Sequence, residues 1–254
     1  MLKNKKIKTI ISILIVIGIY TLISQLNLYS SYLLPSPMMI VNSFIELLLD
    51  GTLINNILIS LKRVLGGYVI ALVLAMSLAI ILLRYRQLND YLNWILQFLR
   101  NVPPLSLIPL LILWFGIDEG SKLIIIILAS FFPMFLNIDK GFKSVDTKLI
   151  EVGKSFNFND YQLFKKIIFP SAVPDILIGM RIGLGYSYRA IIGAEMIASS
   201  SGLGYMINFY RSLSQTDVVM VGIITIGLLG YGCDYLFKHL ANRLFKETKG
   251  HGWN

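Results

Sequence analysis

The chain has 254 residues, of which 56% are hydrophobic and 15% charged, and its formal net charge is +9. Soluble domains carry charge on about a quarter of their residues, so a mean hydropathy of +0.70 excludes an ordinary water-soluble enzyme. The basic balance does not point to nucleic acid, because the lysines and arginines sit in loops between apolar runs, which is the pattern of membrane topology.

Six apolar runs follow in chain order, each near the ~20 residues that cross a bilayer as a helix. The first, 10–26, comes after Lys3, Lys5, Lys6 and Lys8 as in a signal peptide; no A-x-A-like site follows it, so a retained anchor is expected. A loop with Tyr29, Tyr32, Pro35 and Pro37 leads to a short amphipathic piece at 38–50. The second run, 64–83, begins just past Lys62 and Arg63, and the third, 101–116, is preceded by an amphipathic stretch from Leu88 to Leu99. The others are 121–138, 176–198 and 218–237, with no internal repeat or low-complexity tract. Backbone groups in lipid must be satisfied within the segment, so the spans are helices and the class is an all-α membrane protein with six transmembrane helices.

Proline removes a backbone donor and kinks a helix. Pro103, Pro104 and Pro109 interrupt the third run and Pro133 the fourth; plain kinked packing and a hinge or gate lining both remain open. In the fifth run Gly179 and Gly183 make a G-x-x-x-G pair, which signals a tight helix interface without saying which. Arg181 lies near the cytoplasmic end of that run and can snorkel to it. Arg189 lies on the order of 20 Å in, too deep to snorkel, and an intramembrane charge is a functional candidate by default. It either lines a path or pairs with another helix. Glu195, off its face and near the outer end, reads as a hydrogen-bonding latch rather than a ligand.

The runs are oriented by counting basic residues. With the N-terminus inside, cytoplasmic segments hold sixteen of the 23 Lys and Arg residues, and Lys62 and Arg63 fall at the outer edge of the second span. Both termini and the stretch 141–175 are then cytoplasmic. That polar stretch carries or borders six lysines, at 140, 143, 148, 154, 165 and 166. Val145, Leu149, Val152 and Phe156 recur at helical spacing, so one face of its first half is expected to be buried. Asn159 reads as an N-cap with Gln162 returning the bond and Phe158 stapled against Leu163. Pro170 and Pro174 are expected to end the second helix.

Catalytic signatures are missing. Gly153-Lys154-Ser155 ends like a phosphate-binding loop, but Lys148 stands where the first glycine belongs and no buried strand precedes it. Cys233 has no partner for a disulfide or metal, and His239 and His251 have no metal spacing. The chain is read as a non-enzyme.

Glu151-Val152-Gly153, Asn157 and Ile167-Ile168-Phe169-Pro170 resemble the EAA loop of permease subunits of ABC importers, with Val152 and Gly153 in place of alanines, Asn157 in place of a glycine and Phe169 in place of a leucine. Asparagine is the best non-glycine choice for a left-handed turn, and Gly153 weakens its helix by roughly 1 kcal/mol relative to alanine. Leu99-Arg100-Asn101-Val102-Pro103-Pro104, Leu111 to Ile117, Gly193-Ala194-Glu195, Gly202-Leu203-Gly204-Tyr205 and Gln215 to Val219 fit as well. Together they resemble the aliphatic sulfonate, nitrate and taurine branch, over about residues 35–245. The resemblance implies a MetI-like type I importer permease, with the coupling (EAA) loop between helices 4 and 5, a transmembrane anchor at 1–34, a transmembrane domain at 35–245 and a cytoplasmic tail at 246–254. It implies a homodimer in the cell membrane, docked on a dimer of ABC ATPase subunits that bind the ATP and magnesium, and fed by an extracytoplasmic substrate-binding protein. No cofactor belongs to the chain itself. Lys148, Glu151, Val152, Gly153, Lys154, Ser155, Asn157, Phe158, Asn159, Gln162 and Pro170 would couple to the ATPase, with Glu151 the polar anchor. Arg100, Pro103, Pro104, Arg189 and Glu195 would line or gate the path, and transport would run by alternating access. A vitamin-precursor substrate, such as a thiamine pyrimidine, is the alternative within the family. A secondary transporter would need intramembrane acids or an inverted repeat, and neither is visible.

Overall fold

The computed structural model describes residues 2–26, 30 and 32–244, and every regular element among them is helical. The tail at 246–254 lies outside the described residues. α1 is Leu2–Gln25, α2 Pro37–Leu49, α3 Thr52–Arg84, α4 Arg86–Arg100, α5 Ile108–Phe115, α6 Glu119–Lys143, α7 Thr147–Ser155, α8 Asp160–Leu163, α9 Phe169–Ala198, α10 Leu203–Ser212 and α11 Thr216–Leu244. Among the described residues four helices are long and apolar enough to cross a membrane, and α4 with α5 makes a fifth span if that bent pair is counted as one. α1 adds an apolar helix whose Tyr20 hydroxyl donates to the Pro35 carbonyl at 2.7 Å, holding it to the start of α2.

The bundle is built around α6. Half of its most apolar window is buried (50%), against 33% for α3 and 22% for α11. Small residues let its neighbours approach. Ala71, Ala75 and Ala79 form a fully buried stripe on α3, and a Cβ at Gly67 would lie 2.6 Å from Ile126 of α6. The G-x-x-x-G pair of α9 also faces α6: a Cβ at Gly179 would meet Asn137 at 2.8 Å and the Met134 carbonyl at 3.1 Å, and Gly183 abuts the Met134 side chain. The opposite faces of these helices carry exposed apolar side chains, such as Leu58, Leu65, Val69 and Val73 on α3, as lipid-facing surfaces do.

Several boundaries differ from expectation for local reasons. α3 begins at Thr52, so Lys62 and Arg63 lie inside it rather than at its edge; Arg63 is tolerated there because two carboxylates neutralise it. The third span is not one kinked helix over 101–116. α4 ends at Arg100, Pro104–Leu107 form a 3-10 turn, and the chain bends by 81° before α5. α5 has eight residues, about 12 Å at 1.5 Å each, too short to span alone. Pro133 does not interrupt α6, which runs through it. Pro170 and Pro174 do not end a helix either: both lie inside α9, and residues 160–198 form one helical rod of 39 residues. The turn before Pro170 is a π turn, with the Phe169 N–H bonded to the Phe164 carbonyl, and this wider register leaves room for the proline ring.

Candidate functional site

Three places bring the sequence-predicted residues into geometry. The first is the polar module, α7 and α8. Asp146 caps α7 by accepting from the Lys148 N–H at 2.9 Å. The helix ends at Ser155, and Asn157 turns the chain beyond it in the left-handed conformation, φ 55°. Asn159 then opens α8 with a complete capping box: its side chain accepts from the Gln162 N–H at 2.8 Å, and its own N–H donates to the Gln162 side chain at 3.0 Å. Gly153 is buried because α7 lies on the start of the next helix, and a Cβ there would meet Ile167 at 2.5 Å and Leu163 at 2.6 Å. Phe158 packs beside the same glycine, and the Lys166 ammonium sits 4.5 Å above its ring.

The expected burial of the apolar stripe does not hold within the chain. Val145 is 8% exposed, but Leu149 is 48%, Val152 52% and Phe156 70% exposed. The small surface on this side of α7 is Gly153, one position round from the stripe, and that is the face the bundle takes. Glu151, Val152, Lys154, Ser155 and Asn157 therefore all face outward. The module is anchored at its far edge, where Arg84 of α3 meets Asp160 at 2.7 Å. Asn157→Ala is expected to loosen the turn by about 1 kcal/mol, the penalty of a Cβ in the left-handed region, whereas Asn157→Gly should leave it unchanged. Limited trypsin cleavage at Lys154 is the measurement, with about a fivefold faster rate in the alanine variant.

The second place is a cavity of about 570 Å³ lined by Arg100, Pro103 and Pro104 on one side and Arg189 on the other, with Leu105, Phe132, Leu136, Ile182 and Tyr186 completing its wall. Four of the five expected path residues thus meet around one space. The bend after α4 is what delivers Arg100 and the prolines there. Arg189 also borders a smaller cavity of about 220 Å³ between α9 and α11. There Arg181 finds a partner on the neighbouring helix. Its guanidinium makes a two-pronged ion pair with Asp234 of α11, at 2.6 and 2.7 Å.

Glu195, the fifth, lies elsewhere. Its carboxylate is buried, 1% exposed, and accepts from the Ser60 hydroxyl at 2.8 Å, from Arg63 Nη1 at 2.9 Å and from the Gly204 N–H at 3.0 Å. Arg63 extends the network, donating through Nε and Nη2 to Glu119 at 2.8 and 2.6 Å and through Nη1 to the Ser201 carbonyl at 2.8 Å. Lys122 reaches Glu119 at 2.9 Å. Two cations and two carboxylates balance, and α3, α6, α9, the 199–202 loop and the start of α10 are tied together at one end of the bundle. The loop and the first turn of α10 are held against them by the Gly202 N–H on Asn56 at 2.7 Å and the Leu203 N–H on Ser60 at 2.9 Å.

A family model described as the binding-protein-dependent transport system inner membrane component matches residues 67–246. The chain belongs to that family. This permease is 39% identical over 232 residues to a putative aliphatic sulfonates transport permease of Bacillus subtilis, covering 91% of the chain and 84% of the relative. It is 31% identical over 243 residues to a taurine transport permease of Escherichia coli, covering 94% and 87%. Its fold matches the permease in the MetNI methionine ABC transporter with a TM-score of 0.62 at 16% identity, covering 81% of this chain and 97% of that one; at that identity the likeness speaks to fold. The permease is thus a non-catalytic, multi-pass subunit of the cell membrane, in a family that works with an ATPase and a substrate-binding protein.

Arg63, Ser60, Glu119, Lys122 and Asn56 of the permease are not among the site residues that the sequence singles out. The signal available is Arg63 itself, a charge with apolar residues beyond it on both sides, but its partners lie 56 and 132 positions away.

Proposed function

We propose that the chain carries a small organic anion, an aliphatic sulfonate or the related taurine, across the cell membrane as one half of a permease homodimer driven by an ABC ATPase pair. The observation that carries the coupling half of this reading is the exposed stripe Leu149, Val152 and Phe156 beside the outward Glu151. Apolar surface on a rigid, capped helix outside the lipid needs a partner, and the ATPase fits it, with Glu151 the polar anchor and residues 148–164 the contact. The identity to the sulfonate permease over nearly the whole chain supports the substrate class. Residues 1–34 serve as an anchor, 35–245 as the transport domain and 246–254 as a tail, with both termini cytoplasmic as the distribution of basic residues favours. Transport runs by alternating access, because ATP binds the closed state of the partner more tightly and so shifts the permease with it. Glu151→Lys is expected to leave the protein in the membrane while sulfonate uptake drops by about tenfold or more, the loss of one anchoring charge pair. Co-purification with the ATPase should be lost in parallel. Uptake at the unmodified rate in the Glu151→Lys variant would refute the coupling role.

A further inference from the structure

The cations of the spans are treated unequally. Arg63, Lys122 and Arg181 each lie within 2.6–2.9 Å of a carboxylate. Arg189, two-thirds of the way along α9, lies 5.9 Å from the Tyr186 ring, and among the described residues it joins no ion pair. Arg100 likewise joins none, and both side chains are exposed to the same cavity. A charge at membrane depth without a counter-charge is expensive, so two unpaired guanidinium groups converging on one space leave a negative charge to be supplied. The cavity has the size to take one: about 570 Å³ falls within the roughly 300–1,000 Å³ of small-molecule sites. Its remaining wall is apolar or aromatic, from Leu105, Phe132, Leu136 and Ile182. Guanidinium groups fork onto oxyanions with paired N–H bonds, while such a wall favours a tail that prefers to leave water.

We propose that Arg100 and Arg189 form an anion subsite within the permease chain itself, holding the head of a small organic oxyanion while the Leu105, Phe132 and Ile182 wall receives its short apolar tail. The inference rests on the transport function proposed above and adds to it that selection for charge occurs inside the membrane subunit, after delivery. A bare inorganic oxyanion would use only half of the site.

The full-length chain, purified in detergent, can be dialysed against radiolabelled butanesulfonate without the ATPase present. Saturable binding is expected, weakened about tenfold or more in Arg189→Gln, as removal of a charged hydrogen-bond partner predicts. Arg189→Lys should retain part of it, and Arg100→Gln should weaken it independently. Butanesulfonate should displace the label better than methanesulfonate or nitrate, and neutral butyl methyl sulfone should not displace it. Absence of saturable binding, equal binding by both glutamine variants and the unmodified chain, or displacement by the neutral sulfone would each overturn the subsite. Because this measurement omits ATP and the ATPase, its failure is distinct from failure of the coupling reading, which the Glu151→Lys uptake experiment reads separately.

Discussion

Glu195→Ala is expected to destabilise the chain more than any other single change in the bundle. The substitution leaves the Arg63 guanidinium, 6% exposed, with Glu119 as its remaining carboxylate, and strips partners from the buried Ser60 hydroxyl and the Gly204 N–H. Breaking a buried ion pair by removing one partner costs about 3–5 kcal/mol. Glu119 recovers only part of that, because its side chain is 56% exposed and water screens what it offers. Thermal unfolding of the purified protein should show a single large downward shift. Arg63→Met combined with Glu195→Met should recover much of the loss, since apolar residues of similar volume often replace a buried pair at no net cost. A double variant as unstable as the alanine variant would mean that the network acts through something other than uncompensated charge.

Gly204→Ala should follow closely, for a reason of space rather than charge. A Cβ at that position would overlap the Ile192 carbonyl oxygen and stand 2.7 Å from the Glu195 Cβ and 3.1 Å from the Met196 N. Two of these are backbone atoms of α9, which cannot rotate aside as a side-chain end can. The start of α10 must lift, breaking the 3.0 Å bond from the Gly204 N–H to Glu195, and overpacking of this kind costs about 1–3 kcal/mol. Gly185→Ala is the matched control. A Cβ there meets nothing within 4 Å, so the same change should be neutral or gain about 0.5–1 kcal/mol from helix propensity. Unfolding midpoints of the two variants, measured side by side, separate the effects. Equal shifts would contradict the steric account.

How far the sequence can be read depends on the range of the interaction. Apolar run length locates α6, α9 and α11 closely, since a span is a property of its own residues. The turn at Asn157 and the box between Asn159 and Gln162 are legible for the same reason: each bond closes within a few positions. Arg63 does not mark the start of α3, which begins at Thr52, and its neutralisation by Glu119 and Glu195 is invisible because both lie on other helices. Pro170 reads wrongly as a stop because the π turn that accommodates it has no pattern of its own. The exposed Leu149, Val152 and Phe156 show a different limit, since helical periodicity says that a face will be covered but not whether the same chain covers it. Around the cavity, Arg100 and Arg189 can each be singled out as odd for their surroundings, but only the 81° bend between α4 and α5 shows that they share one space.

The continuity of the helix from Asp160 to Ala198 has a mechanical consequence. Its 39 residues make a rod about 58 Å long at 1.5 Å per residue. The left-handed turn at Asn157 lies just before one end, Arg189 is three-quarters of the way along, and Glu195 is at the other end. A tilt of about 10° pivoting at the Asp160 end, with the rod moving as one body, would sweep the far tip through about 10 Å, on the same geometry. Moved as one body, such a rod sets a gearing ratio: small displacements of the module are multiplied along α9, and the arginine and the glutamate move by amounts fixed by their distances from the pivot. Lengthening that rod would change the ratio between the two ends without touching a residue at either.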